Sequence, residues 1–247
     1  MSLIVEHCGD LGITRLSRWI FNCYLIHGDR SCVVVDPGLP GSRDDVAGVL
    51  AVLGGTVTAV VATHGHSDHV AGAPDLVAES AAALHLPEVT IGYLDGSRRP
   101  RTPPLSKVAR IWPTLLSQPL DATALTGFVR GAQIAGYGGA KGMVGHALRG
   151  ARPLADGQPL PGAPGWEILS VPGHTDDSTA FWHAQSATLI SGDAVLSAGG
   201  RAWFTPETVD DGAAARTEGR LRGLPVEHLL PGHGLPVHGR DVWADRR

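Results

Sequence analysis

Thr63-His-Gly-His-Ser-Asp-His-Val-Ala-Gly72 is the stretch on which the reading of this chain turns. Four side chains that suit divalent metals, His64, His66, Asp68 and His69, fall within six residues. On a helix they would spread around the circumference, so a loop has to gather them. The run Val57–Thr63 that precedes them is short, apolar and β-branched, the pattern of a buried strand. A strand therefore delivers a His/Asp cluster to a sheet edge. The plain alternative is a solvated loop rich in histidine.

Three stretches further along weigh against that alternative. Pro172-Gly-His174, Ser191-Gly-Asp193 and Pro231-Gly-His233 each follow an apolar β-like run: Trp166–Val171, Ala187–Ile190 and Val226–Leu230. Each places its His or Asp just past a strand end. Four strand tips carrying metal-ligand residues form a constellation rather than a chance cluster.

With these residues the chain resembles the metallo-β-lactamase superfamily. His64-x-His66-x-Asp68-His69, His174, Asp193 and His233 follow that family's ligand pattern in order, and Val33-Val-Val-Asp36-Pro-Gly38 looks like its first motif. The resemblance spans about residues 18–240. It implies an α/β fold, a four-layer αββα sandwich, with a two-metal site at one sheet edge. His64, His66 and His174 would hold one ion, Asp68, His69 and His233 the other, and Asp193 would bridge them with a hydroxide. Asp36 would orient the metal loop rather than bind metal. Two divalent ions against two ligand carboxylates and one hydroxide leave about +1, which favours an anionic or polarised-carbonyl substrate. Such a pair activates water, so no Ser or Cys nucleophile is required, and no Gly-x-Ser-x-Gly elbow or P-loop occurs.

The implied activity is a zinc-dependent hydrolase in which the bridging hydroxide attacks an ester, thioester or lactone carbonyl, with Asp68 also steering it. A phosphodiesterase or phosphonate hydrolase uses the same pair. A noncatalytic or sulfur-handling protein on this fold is the reading from another class. Departures from subfamilies narrow the choice. The best-known zinc β-lactamases carry Cys where this chain has Asp193, and they are exported. Glyoxalase II adds a C-terminal glutathione-holding region, whereas 14 residues follow His233. Acyl-homoserine lactonases often carry Tyr where this chain has Leu196. Iron-type relatives replace the second motif histidine with Glu, so His66 favours Zn2+, with Mn and Fe as alternatives. RNA-processing members carry large extra domains.

The remaining composition is ordinary for a soluble protein. The 247 residues suit a single domain with a full core, 43% of them hydrophobic. A net charge of −4 gives no reason to expect nucleic acid or an anionic membrane surface. The N-terminus lacks a signal-peptide pattern, and no apolar run approaches a membrane span. Cys8, Cys23 and Cys32 cannot all pair, and Cys23 and Cys32 sit in apolar runs, which reads as free thiols in a reducing cytoplasm. A small-molecule substrate is expected, and a homodimer remains open.

Along the chain, Leu3–Cys8, Ile20–His27 and Ser31–Val35 read as consecutive strands, with a helix between an N-cap at Ser42 and a stop at Gly54. Residues 73–80 read as a short helix and 82–86 as a strand. In the second half, strands at 166–171, 179–183, 187–190 and 226–230 surround a helix within 206–222. His174 follows His69 by 105 positions, more than compact members of the family use. Residues 97–150 read as an inserted helical subdomain, broken at Pro113, with Asp121 capping a second helix and a glycine-rich end over 136–145. It is either surface padding or a dimer contact, or a lid that selects substrate.

Other residues carry two readings. Arg98, Arg99 and Arg101 either bind a substrate anion or form a solvated loop. Tyr93 and Tyr137 either polarise a carbonyl or fill core and surface. Asp176 and Asp177 either cap the next segment or hydrogen-bond a ligand histidine. His228 and His238 either support the last motif or stand apart.

Overall fold

The computed structural model describes residues 3–135 and 145–244. The N-terminal half builds a seven-stranded sheet in sequence order: β1 (Ile4–Cys8), β2 (Ile13–Arg18), β3 (Phe21–His27), β4 (Ser31–Val35), β5 (Thr56–Val61), β6 (Ala83–Pro87) and β7 (Arg152–Leu154). The first four pair antiparallel; β4 to β7 run parallel, joined by helical crossovers. Helix α1 (Ser42–Leu53) links β4 to β5. Helices α2 (Ser67–Val70) and α3 (Ala73–Ser80) link β5 to β6. Between β6 and β7 come α4 (Glu88–Asp95), α5 (Leu105–Val108), α6 (Trp112–Leu115) and α7 (Ala122–Ala135).

The C-terminal half contributes a five-stranded sheet. Its strands are β8 (Trp166–Ser170), β9 (Thr179–His183), β10 (Thr188–Gly192), β13 (His228–Pro231) and β14 (Val237–His238), in the order β14-β13-β10-β9-β8. A hairpin of β11 (Val195–Ala198) and β12 (Arg201–Phe204) precedes α8 (Asp211–Arg222).

Strand alternation explains the layers. Cys23, Leu25, Cys32, Val34 and Val60 face outward from the first sheet and meet Val46, Val49 and Leu76 of α1 and α3. Their neighbours Tyr24, Ile26, Val33, Val35 and Val61 face the other way, onto Ile168, Phe181, Ile190 and Leu230 of the second sheet. On the far side of that sheet, Leu169, Trp182, Leu189 and Leu229 cover Leu221 of α8 and Trp243. Side chains with a period of two thus serve two cores per sheet. The result is the expected helix–sheet–sheet–helix stack.

Several expected elements differ. Gly41 in the left-handed region, not Ser42, caps α1; Ser42 is its first helical residue and makes no capping bond. Asp45 instead pairs with Arg18 at 2.6 Å. The first two expected strands are not consecutive, because β2 lies between them. Pro113 does break its helical run, which becomes α5, a 3-10 turn at Ala109–Ile111, and α6. Asp121 accepts from the Thr123 amide at 2.9 Å at the head of α7. The glycine-rich stretch 136–144 and Tyr137 lie outside the described residues. Among the described residues no helix is long and apolar enough to cross a membrane.

Candidate metal centre

All seven metal-binding candidates lie beyond the C-terminal ends of strands. The turn after β5 carries His64 and His66, and α2, one turn long, carries Asp68 and His69. His174 follows β8, Asp193 follows β10 and His233 follows β13. They meet at the seam between the two sheets. His64, His66, His174 and Asp193 can each offer a ligand atom within 4.8 Å of one another, and so can Asp68, His69 and His233. Asp193 reaches both sets: its Oδ2 stands 3.6 Å from His174 Nε2 and 3.1 Å from His233 Nε2, and its Oδ1 3.4 Å from His69 Nε2.

The hydrogen bonds around three histidines fix their tautomers. Asp36 Oδ2 can only accept, so His69 Nδ1 donates to it at 3.0 Å. The Glu207 carbonyl can only accept, so His174 Nδ1 donates to it at 2.7 Å. Thr63 Oγ1 donates to Asp36 Oδ2 at 2.8 Å and therefore accepts from His64 Nδ1 at 3.2 Å. Each ring thereby turns its Nε2 lone pair toward the centre, the arrangement that prepares histidine to bind metal. His66 offers Nδ1, 3.2 Å from His174 Nε2. Two nitrogens on one tetrahedral ion at ~2.0–2.1 Å would stand about 3.3 Å apart.

A cation fits this pocket on the pocket's own terms. Nε2 of His64, Nε2 of His69 and Oδ1 of Asp193 are buried with no hydrogen-bond partner. Buried acceptors left unpaired are costly, and three facing one another call for a shared positive charge. The side chains alone answer with protons. Burial depresses His233, but the Asp193 carboxylate and hydrogen bonds to Asp193 and Asp68 overcome it and lift the imidazole to about 10. His69 is likewise raised, burial being outweighed by Asp193 and Asp36. His64 is pushed down by burial and its histidine neighbours, and burial takes His174 down to about 4 despite Asp193. Desolvation would raise Asp193, yet His233 and His69 hold it well below the usual carboxylate range.

Residues not singled out by motif build the frame. Asn22 donates through Nδ2 to the carbonyls of Pro231 (2.9 Å) and Gly234 (2.7 Å), and the Tyr24 hydroxyl donates to Pro231 O at 2.7 Å, so β3 holds the His233 turn. Gly232 must be glycine, because a Cβ there would lie 2.4 Å from Asp193 Oδ1 and 2.9 Å from the His69 ring. Thr63 is the link through which Asp36 acts on His64. Asp36, Thr63 and Gly232 lie within the quoted motifs, whereas nothing in the sequence singled out Asn22 or Tyr24.

The residues with two readings separate. Asp177 turns inward to the metal loop, bonding the Gly65 amide and Thr90 rather than a histidine. Asp176 turns outward and pairs with Arg101, which also reaches Asp210. Arg98 and Arg99 are exposed, and Tyr93 is buried. His228 and His238 face each other across β13 and β14, with Nδ1 atoms 2.9 Å apart, outside both metal sets. Cys23 and Cys32 are buried free thiols and Cys8 a half-buried one; burial pushes Cys32 up to about 12, so it stays protonated.

Residues 18–233 match the profile of the metallo-β-lactamase superfamily. The probable metallo-hydrolase YflN of Bacillus subtilis is 25% identical over 95% of this chain and 88% of its own length. A hydroxyacylglutathione hydrolase of Rhodospirillum rubrum is 25% identical over 81% of this chain but 56% of its own. Among solved structures, TTHA1623 in a di-iron-bound form superposes with a TM-score of 0.57 at 24% identity, over 95% of this chain and 94% of that one. With a match that takes in the loop after β5, the tips of β8, β10 and β13, and most strands of both sheets, the chain belongs to the metallo-β-lactamase superfamily.

Proposed function

We propose that this chain is a dinuclear, zinc-dependent hydrolase acting on an ester, thioester or lactone carbonyl of a small molecule. The observation that carries the reading is the pocket of seven side chains in which Asp193 lies within 3.6 Å of histidines of both sets and three histidines turn Nε2 inward. His64, His66 and His174 would hold one ion, Asp68, His69 and His233 the other, with Asp193 common to both. Such a pair, when bound, supplies Lewis acidity and water made reactive near neutral pH.

The chain's own groups then divide the remaining work. Asp36 keeps His69 and, through Thr63, His64 in the tautomers that bind. Asp193 and Asp68 partly neutralise the ions and leave the centre cationic, suited to a carbonyl oxygen that gains negative charge. Asp68 is the more accessible of the two carboxylates, at 12% against 6% exposed, and is assigned to orienting the attacking water and accepting its proton. That proton leaves with the departing alkoxide or thiolate, so acid and alcohol or thiol are the products.

Acyl over phosphoryl substrates is supported by the hydroxyacylglutathione hydrolase among the relatives. Zinc is supported by the nitrogen-rich donor set, and the di-iron relative makes iron the outcome to watch for. Residues 97–150 are assigned to covering the site. Phe128 of α7 stacks on Phe21 at 5.5 Å, and Phe21 meets the His233 ring edge-on at 5.3 Å. A cytoplasmic location and action without nucleic acid or membrane complete the reading.

The test is metal analysis of the purified chain with hydrolysis of p-nitrophenyl acetate against bis-p-nitrophenyl phosphate. Two zinc ions and preferential acetate turnover are expected. Preferential phosphodiester turnover overturns the substrate class, and two metals with no turnover of either overturn the enzyme. A variant lacking 100–148 that keeps its substrate preference removes the cover.

A further inference from the structure

We propose that Asp177 is a positioning residue that fixes the His64–Gly65–His66 turn and so sets the geometry of one ion site and not the other; the proposal rests on the metal-centre reading above. Asp177 is buried, and one oxygen, Oδ2, accepts from the Gly65 amide at 2.8 Å and from Thr90 Oγ1 at 2.6 Å. Two residues on, Thr179 donates through its amide (2.7 Å) and its Oγ1 (2.8 Å) to the Thr63 carbonyl. The Thr63 carbonyl belongs to the peptide before His64, and the Gly65 amide to the peptide after it.

Peptide groups are planar, so anchoring one on each side of a Cα sets both soft dihedrals between them. The segment 177–179 thereby dictates where the His64 ring points. It begins three residues after His174, so a single short stretch places His64 and His66 against His174. The rings of these three stand 4.6 to 5.1 Å apart. The need for an anchor is local. Gly65 has no Cβ to restrict its backbone, so an outside acceptor on its amide is needed to hold the peptide that joins it to His64. His69 and His233 are held by Asp36 and by β3 instead, and do not depend on Asp177.

Three variants test this: Asp177→Ala, Asp177→Asn and Thr90→Val. Both bonds use one oxygen, and the amide oxygen of asparagine can accept both. Zn2+ affinity is measured by chelator competition, and Gly65 amide exchange by NMR on chelator-treated protein. Wild type should bind two ions and protect Gly65. Asp177→Ala should weaken one ion by about 10–100-fold, leave the other unchanged and expose Gly65. Asp177→Asn should stay close to wild type in both readouts.

Equal weakening of both ions, no weakening at all, or an asparagine variant as poor as the alanine one overturns the proposal. If the alanine variant does not fold, Thr90→Val removes one of the two donors without a cavity. It should fall below Asp177→Asn in first-ion affinity and Gly65 protection, and equal values overturn the proposal. A wild-type chain that binds no zinc strikes the metal-centre reading, while Gly65 exchange still decides the anchor.

Discussion

Asp36→Asn removes one charge and changes no volume, yet it should disable both ion sites. Asp36 Oδ1 accepts from the Thr63 amide at 2.7 Å; Oδ2 accepts from Thr63 Oγ1 at 2.8 Å and His69 Nδ1 at 3.0 Å. All three partners donate to a carboxylate that donates nothing. An amide can occupy the place in two ways. With its oxygen on the Thr63 amide, its NH2 faces Thr63 Oγ1 and His69 Nδ1. His69 must then accept on Nδ1 and carry its proton on Nε2. The Thr63 hydroxyl, now accepting, must donate to His64 Nδ1, which moves that proton to Nε2 as well. With the amide reversed, both histidines keep their tautomers, but the NH2 opposes the buried Thr63 amide at a cost of about 1–3 kcal/mol. The first arrangement satisfies every group that touches the amide and should prevail. Asparagine also tolerates the φ of 50° found at Asp36, so backbone strain does not confuse the result. Loss of such a partner typically weakens metal binding about 10–100-fold, or about 1.4–2.8 kcal/mol. His64 and His69 belong to different sets, so each ion should weaken by that factor. Chelator competition measures the affinities, 15N chemical shifts of the chelator-treated protein report the His69 tautomer, and melting measures stability. A variant with wild-type affinity for both ions and wild-type metal-free stability refutes the reasoning.

Chelator-treated protein should melt lower at pH 9.5 than at 6.5. The His233 pKa is raised from 6.5 to about 10, so its stabilising contribution is complete below the unfolded value and fades as pH climbs through the folded one. A metal-free melting temperature that rises over that window contradicts this. Leu25→Ala, at a fully buried position between β3 and the outer helices, should cost about 2–5 kcal/mol, read as a lower urea midpoint at unchanged slope. Arg101→Ala breaks an exposed pair with Asp176 and should cost no more than about 1 kcal/mol; zinc titration should show both affinities intact.

How much the sequence disclosed follows from which interactions are local. The strand tips were legible because each ligand sits a few residues past an apolar run of fixed period. Strand β2 was not, because polar side chains interrupt both of its faces: on the inward face Arg15 is buried against Glu6 and Asn22, and on the outward face Thr14 sits between His7 and His27. The β11–β12 hairpin did carry a signal, Gly199-Gly200, with both residues at positive φ as a tight turn requires. Strand β7 is three residues long with Pro153 at its centre, tolerable because it is an edge. In the site, the histidines and aspartates declared themselves by spacing, whereas Thr63, Asn22 and Asp177 act through bonds to residues far away in sequence. Gly65 and Asp177 are 112 positions apart. Asp177 stood out only as an acid close behind His174, with nothing to say which way it turned.

The same long-range bonds explain why the candidate ligands occupy this seam. The sheets adhere through apolar faces that end at the strand tips, where Asp36, Asp68 and Asp193 meet five histidines. Neither half could bury its share alone. The first would leave Asp36 and Asp68 with His64, His66 and His69 facing solvent, and the second would scatter His174, Asp193 and His233 over three loops. Docking brings acids and imidazoles close enough to compensate one another, and a bound cation would replace the protons that do so. Ion binding is therefore coupled to sheet docking: an ion held at 100 times its dissociation constant adds about 2.7 kcal/mol to the folded state. That energy would act across the interface between the sheets. Groups such as Asp177 and Asn22 make the coupling specific, since they cross the same interface and hold the ligand turns in register before any ion arrives.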